Sequence, residues 1–281
     1  MRVEGAFRAG SGEPLLLVHG FSSVPEVWRP VLGDLEGAFD VLAVALAGHV
    51  GGSSLPEGVP VCMQAIVDAV EREMDAAGFD TAHIAGNSLG GWIALELARR
   101  GRARSVVALS PAGGWEQGTA EERRLRGLFR RNHAIAQRML PRARGLLRRP
   151  RLRRALLSGA MARADRLTPA QALAMIEGSV ECPIYFDLIA AIERDGPPGD
   201  FEGVRCPVLL AWGSKDRLLP AARYSQRMRN LLPAAHWMDL PGLGHMPMGD
   251  DPQLIASVIA GFATQAGHST HEQELVAQAL A

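Results

Sequence analysis

The 281-residue sequence predicts an α/β protein, with a mostly parallel central sheet, helices on both faces and an inserted helical segment. Three observations carry that prediction. Short unbroken apolar runs, "PLLLV", "VLAVAL", "SVVAL" and "VLLAW", have the length and composition of strands buried on both faces. Amphipathic stretches with helical spacing lie between them, the alternation expected of parallel strands joined by helical crossovers. From about Gly114 to Asp200 that alternation stops and the chain turns helical and arginine-rich.

In chain order, a short hairpin-like start leads into a strand at 14–20 that ends in glycine. Val27, Val31 and Leu35 then recur at helical spacing, and "FDVLAVAL" (39–46) is the next strand. An amphipathic helix is predicted at 61–79, a short strand at 81–88, and a helix in which Leu89, Ile93 and Leu97 recur every fourth residue. "ARSVVALSPA" (103–112) closes the first part of the sheet. Inside the insertion, Thr119 with Glu122, and Thr168 with Pro169 and Gln171, have the pattern of capped helix starts. The sheet resumes with "CPVLLAWGSKD" (206–216), followed by the helix "AARYSQRMRNLL", the strand "AHWMDL" and the helix "PQLIASVIAGFATQ". The expected organisation is a core at 1–114 and 201–266, a helical cap or lid at 115–200, and a polar, loosely attached tail at 267–281.

Composition narrows the function classes. The 30 basic and 30 acidic residues cancel, so no global field draws the chain to nucleic acid or an anionic surface, although local clusters remain possible. The first apolar run spans five residues, short of a signal peptide's apolar region, and no segment has the length of a membrane span. Cys62, Cys182 and Cys206 are far apart and lack metal-ligand spacing. The expectations are therefore a cytoplasmic protein without disulfides, zinc or cofactor.

Gly86-Asn87-Ser88-Leu89-Gly90 matches G-x-S-x-G at the end of a predicted strand and the start of a predicted helix. A sharp strand-to-helix turn strains the serine and leaves no room for bulk beside it, and it aims the helix N-terminus at any charge forming there. A serine hydroxyl attacks only if a base takes its proton, so a histidine and an orienting carboxylate are required. Asp216, past the strand "LLAWG", and His245, in the glycine-rich loop "LPGLGHMPM", follow in the order Ser, acid, His. Asp239 is the runner-up acid, and His19 and His236 are rival bases. "VHGFSS" (18–23) offers an early loop whose Phe21 N–H, with that of Leu89, would form a pair of oxyanion donors.

"LLLVHGF", "AGNSLGGW", "LLAWGSKDRLLP" and "LPGLGHMPMGDDP" together resemble the α/β-hydrolase fold superfamily, in its capped, serine-dependent esterase and lipase-like branch. The resemblance implies Ser88 as nucleophile, Asp216 as acid, His245 as base, Phe21 and Leu89 as oxyanion donors, and a small-molecule ester or related acyl substrate. Relatives that open epoxides or cleave carbon-halogen bonds carry aspartate where this chain has Ser88, which disfavours those chemistries. Asn87-Ser88 is shared with hydrolases of ring-cleavage carbon-carbon bonds, but "HGFSS" and Met246 depart from their pattern. That activity is the second choice, and a weakly catalytic receptor of the same fold is a third. His49, in "ALAGHVGGSS", is given no catalytic role.

The arginines of the insertion have two readings. They are solvated side chains on an amphipathic surface helix, or they favour an anionic substrate or hold the insertion near a charged surface. Met139, Met161, Met175, Tyr185 and Phe186 either shape an apolar acyl pocket or form the insertion's own core.

Overall fold

A computed structural model describes residues 5–280, with side chains described as far as residue 266. Seven strands form one sheet: β1 (Phe7–Ala9), β2 (Glu13–Val18), β3 (Phe39–Val44), β4 (Ala82–Asn87), β5 (Ala103–Leu109), β6 (Val208–Gly213) and β7 (His236–Leu240). Their order is β1-β3-β2-β4-β5-β6-β7, with all neighbours parallel except the β1–β3 edge pair. The chain start is therefore not a hairpin. β1 crosses to pair with β3, Arg8 opposite Leu42, and Arg8 forms an ion pair with Asp40 of the same strand.

The helices are α1 (Arg29–Leu35), α2 (Met63–Ala76), α3 (Leu89–Arg99), α4 (Ala120–Leu146), α5 (Pro150–Leu156), α6 (Pro169–Val180), α7 (Tyr185–Asp195), α8 (Ala221–Leu231), α9 (Pro247–Asp250) and α10 (Pro252–Leu280). The expected polar tail at 267–281 lies outside the described side chains. Successive strand residues point to opposite faces, and the apolar runs fill two cores accordingly. Leu16, Val18, Ile84, Val106 and Leu210 pack with Ile66, Ile93 and Met228 of α2, α3 and α8. Leu15, Leu17, Ala85, Val107 and Leu209 pack with Val31, Leu35, Ile255 and Ile259 of α1 and α10.

Helices α4 to α7 leave the sheet after β5 and return before β6, so the insertion is helical throughout. Its own small core holds Ala143, Leu147, Met161, Leu167, Ala172 and Ile176. Thr168 and Gln171 make the full reciprocal cap of α6. At α4 only half of that device forms: Thr119 accepts from the Glu122 N–H, but the Glu122 carboxylate turns to the Gly118 N–H at 2.6 Å. Among the described residues no helix is long and apolar enough to cross a membrane.

Candidate active site

Parallel strands joined by helical crossovers bring their C-terminal ends to one edge, and a crevice opens where successive connections run in opposite directions. Here β3 lies on one side of β2 and β4 on the other, so the loops after β2 and β4 meet at that point. Ser88, directly after β4, sits there with φ 57° and ψ −117°, a conformation that L-residues avoid. The glycine at 90 has a steric reason: a Cβ there would stand 2.1 Å from the Val18 carbonyl oxygen and 2.6 Å from that of His19. Those approaches wedge the start of α3 against the end of β2.

Asp216 and His245, 29 residues apart, meet through a 2.8 Å contact between Asp216 Oδ2 and His245 Nδ1. The other carboxylate oxygen accepts from the Leu218 and Leu219 N–H groups at 2.9 and 2.7 Å. Burial pulls the Asp216 carboxyl upward, but the His245 ring and the backbone donors outweigh it, so the carboxyl stays below the usual carboxylate range. An ionised acceptor on Nδ1 fixes the proton there and leaves Nε2 as the basic nitrogen. Among the described residues His245 Nε2, which is buried, has no hydrogen-bond partner, Ser88 Oγ included. Such bonds are often long in unliganded sites and tighten around substrate.

The rival residues lie elsewhere or have other partners. Asp239 is exposed on β7, and His236 stands exposed at the N-terminal end of that strand. His19 Nε2 accepts the Leu46 N–H at 3.1 Å, so its proton is on Nδ1, 2.8 Å from the Gly20 carbonyl oxygen. That bond fixes the Gly20–Phe21 peptide, whose N–H points opposite to its carbonyl in a trans peptide plane. A Cβ on Gly20 would lie 3.2 Å from Ser88 Cβ, which places this loop against the turn. Among the described residues neither the Phe21 nor the Leu89 N–H donates to a protein acceptor. His49 packs edge-on to His19 and Phe21 and bonds only its own loop, Nδ1 to the Ala47 carbonyl oxygen at 3.3 Å.

Two polar residues with no role in the sequence reading tie this edge together. Asn87 Nδ2 donates to the His245 carbonyl at 2.8 Å and to that of Leu109 at 3.0 Å, joining three strand ends. Asn87→Ala strands the His245 carbonyl, while that of Leu109 keeps the Ser88 N–H at 3.0 Å, so a stability loss of about 2 kcal/mol is expected in chemical denaturation. A parallel fall in kcat/KM of about tenfold or more is expected as the His245 loop loosens. Unchanged kinetics would assign Asn87 to stability alone.

Asp250 is the second. Its carboxylate, fully buried, accepts from the N–H groups of Ala162 and Arg163 in the insertion, at 3.0 and 2.6 Å, and from Gly244 at 2.7 Å. It therefore pins the insertion to the loop that carries His245. Asp250→Ala orphans one buried donor, at Gly244, and two half-buried ones, at Ala162 and Arg163, and is expected to destabilise by about 3 kcal/mol. Proteolysis first cutting near 162, before global unfolding, would mark the same loss.

A pocket open to solvent, about 580 Å³ when the solvent at its mouth is counted, is lined in part by Ser88, Phe21 and Leu89. Trp115, Leu125, Phe129, Ile189 and Ile192 supply apolar walls, and Glu122 and the Arg126–Glu193 ion pair are its polar elements. The five side chains singled out in the sequence as candidate pocket residues do not line it. Met161 belongs to the insertion's core with Met175 packed on it, Tyr185 is buried in the main core, and Phe186 is exposed. α4 and α7 reach the cavity through other positions, because an amphipathic pattern gives a helix's buried face without saying what that face covers.

A family model described as "Alpha/beta hydrolase family" matches residues 15–258. The chain is 34% identical over 207 residues to a protein of Mycobacterium tuberculosis named epoxide hydrolase EphH, spanning 70% of this chain and 92% of that one. Among solved structures, a thermophilic esterase from Thermogutta terrifontis aligns with TM-score 0.70 at 19% identity, covering 93% of each chain. A meta-cleavage product hydrolase from Pseudomonas fluorescens IP01 aligns with TM-score 0.66 at 21% identity, over 93% of this chain and 94% of its own.

Proposed function

Because the chain belongs to the alpha/beta hydrolase family, we propose that it is a serine hydrolase cleaving carboxylic esters of small molecules through an acyl-enzyme on Ser88. The observation that carries this reading is the residue on the turn after β4: a hydroxyl at a strained φ of 57°, opening on an apolar cavity. Ser88 Oγ attacks the ester carbonyl as His245 Nε2 takes its proton, and the Phe21 and Leu89 N–H groups receive the charge on the carbonyl oxygen. Collapse expels the alcohol, which receives that proton. Water then attacks the acyl-enzyme with His245 again as base, releasing the acid and restoring Ser88. Asp216 holds the imidazole and stabilises its charged form. The helices α4 and α7 act as a cap that walls the acyl pocket, and no metal or organic cofactor takes part.

The name of the mycobacterial relative brings epoxide opening into view. Attack of Ser88 on an epoxide would leave an alkyl ether, with no carbonyl for water to attack in a second step, so a serine here favours acyl chemistry. Carbon-carbon cleavage of ring-cleavage products is the second reading, supported by the Asn87-Ser88 pair.

A fluorophosphonate is expected to label Ser88, detected by peptide mass spectrometry, and p-nitrophenyl butyrate to be turned over. The same preparation assayed on a lactone, an amide, an epoxide and a ring-cleavage product ranks the readings. Faster turnover of the epoxide or the ring-cleavage product would replace the ester assignment. Labelling of Ser88 without turnover of any substrate class would leave a receptor.

A further inference from the structure

The arginines are unevenly placed. Residues 120–154 hold 13 of the 30 basic side chains and only two of the 30 acidic ones, so this segment carries a net +11 and the rest of the chain −11. Eleven of these arginines are exposed; the others are Arg126, paired with Glu193, and Arg153, buried and donating to the carbonyls of Leu147, Arg148 and Asp165. Among the described residues none of the eleven makes an ion pair with a carboxylate.

On α4 the exposed arginines 123, 124, 130, 131, 138, 142 and 144 fall within about 160° of arc, at about 100° per residue. The opposite face of the helix carries Leu125 and Phe129 to the cavity above Ser88, and Ala143 to the insertion's core. The basic face is thus the outer surface of the wall that covers the candidate site. Two of the most exposed large apolar side chains stand with it: Ile135 on α4, 46% exposed, and Phe186 on α7, 53% exposed and packed edge-on to His133 of α4.

We infer that this outer face is a docking surface for an anionic lipid bilayer. A neutral molecule with +11 on one segment and −11 elsewhere is a strong dipole, which a negative surface turns so that the arginines face it. Each arginine near an acidic headgroup layer adds to the attraction, while a Phe and an Ile among the cations fit the boundary between headgroups and acyl chains. A nucleic-acid duplex would satisfy the guanidinium groups but offers those two apolar side chains no such boundary. The chemistry of the site is not part of this inference, since Ser88→Ala protein should dock equally well.

The test is sedimentation with vesicles of phosphatidylcholine, alone or mixed three to one with phosphatidylglycerol, using the full chain. Binding to the mixed vesicles is expected to exceed binding to neutral ones by about tenfold or more at about 0.1 M salt, and to weaken sharply at about 0.5 M. The triple variant Arg130→Gln, Arg131→Gln, Arg138→Gln is expected to lose about tenfold or more in partitioning. Arg72→Gln, Arg104→Gln, Arg205→Gln, at exposed positions outside the insertion, should change it less than about twofold. Equal affinity for both vesicle types, or no binding to either, would overturn the proposal, as would equal losses in the two triple variants. Salt-sensitive capture of a DNA duplex with no vesicle binding would overturn it in favour of a nucleic-acid partner. If a variant does not fold, the lipid and salt dependence of the unaltered chain still decides.

Discussion

Replacing Ser88 by alanine is expected to abolish ester turnover, lowering kcat/KM by about 10⁴-fold or more with the fold intact. On the proposed reading, the remaining groups, two oxyanion N–H donors and an apolar pocket, would still bind an ester without forming a covalent intermediate. Alanine keeps the strain of a positive φ, because the cost comes from Cβ rather than from the hydroxyl. Ser88→Gly removes that Cβ and is therefore expected to be equally inactive yet more stable than the unaltered chain by about 1 kcal/mol, read from denaturant midpoints. Retention of most of the activity in Ser88→Ala would remove the nucleophile assignment. Asp216→Asn should be nearly as damaging, at about 10⁴-fold in kcat, because an amide donates to Nδ1 and reverses the tautomer of His245.

Mild acid is expected to destabilise the protein steeply. His19 and His49 are fully buried, with rings 5.4 Å apart, and burial lowers them to about 3 and about 4. Both are neutral in the folded chain at pH 5, while in the unfolded chain they bind protons below about 6.5. The unfolded state then holds more protons, so stability is full above about pH 6.5 and falls as pH drops through the window down to about pH 4. Each group contributes about 1.4 kcal/mol per pH unit there, so the pair accounts for about 5 kcal/mol between pH 6.5 and 4.5. Urea unfolding across that range measures the slope, and His49→Phe should remove about half of it. A slope that His49→Phe leaves unchanged would assign the acid lability to other groups, among them His83 and His133, which burial also lowers.

The features legible in the sequence were those whose causes are local. Ser88 could be read because the elbow's small residues are demanded by backbone atoms close by in the chain, as at Gly86, where a Cβ would stand 2.1 Å from the Gly90 carbonyl oxygen. The strands could be read because burial on both faces leaves an unbroken apolar run. Strand partners were less accessible: β1 is three residues long, and nothing in "FRA" distinguishes pairing with β2 from pairing with β3. Asn87 read as a neighbour of the nucleophile, but its acceptor on His245 lies 158 residues away. Asp250 was given no role, because two of its three donors come from residues more than 80 positions upstream. The walls of the cavity stayed open between two readings for the same reason, since Met161 and Phe129 are equally apolar and only the fold decides which of them lines the cavity at Ser88.

β5 and β6, the strands between which α4 to α7 are inserted, are hydrogen-bonded neighbours, Val106 beside Val208 and Leu109 beside Ala211. The helical excursion therefore begins and ends at one seam of the sheet and spends none of the core's register. On the proposed reading, two kinds of information are written on separate stretches of the chain: the reacting groups at strand ends, and much of the pocket wall on the excursion. Exchange of one such excursion for another leaves every strand pairing in place, but has to satisfy Asp250 and to refill what Leu125, Ile184, Tyr185 and Leu188 supply to the main core. A lineage built this way can change what it recognises without reinventing how it reacts, and an engineer can graft along the same seam.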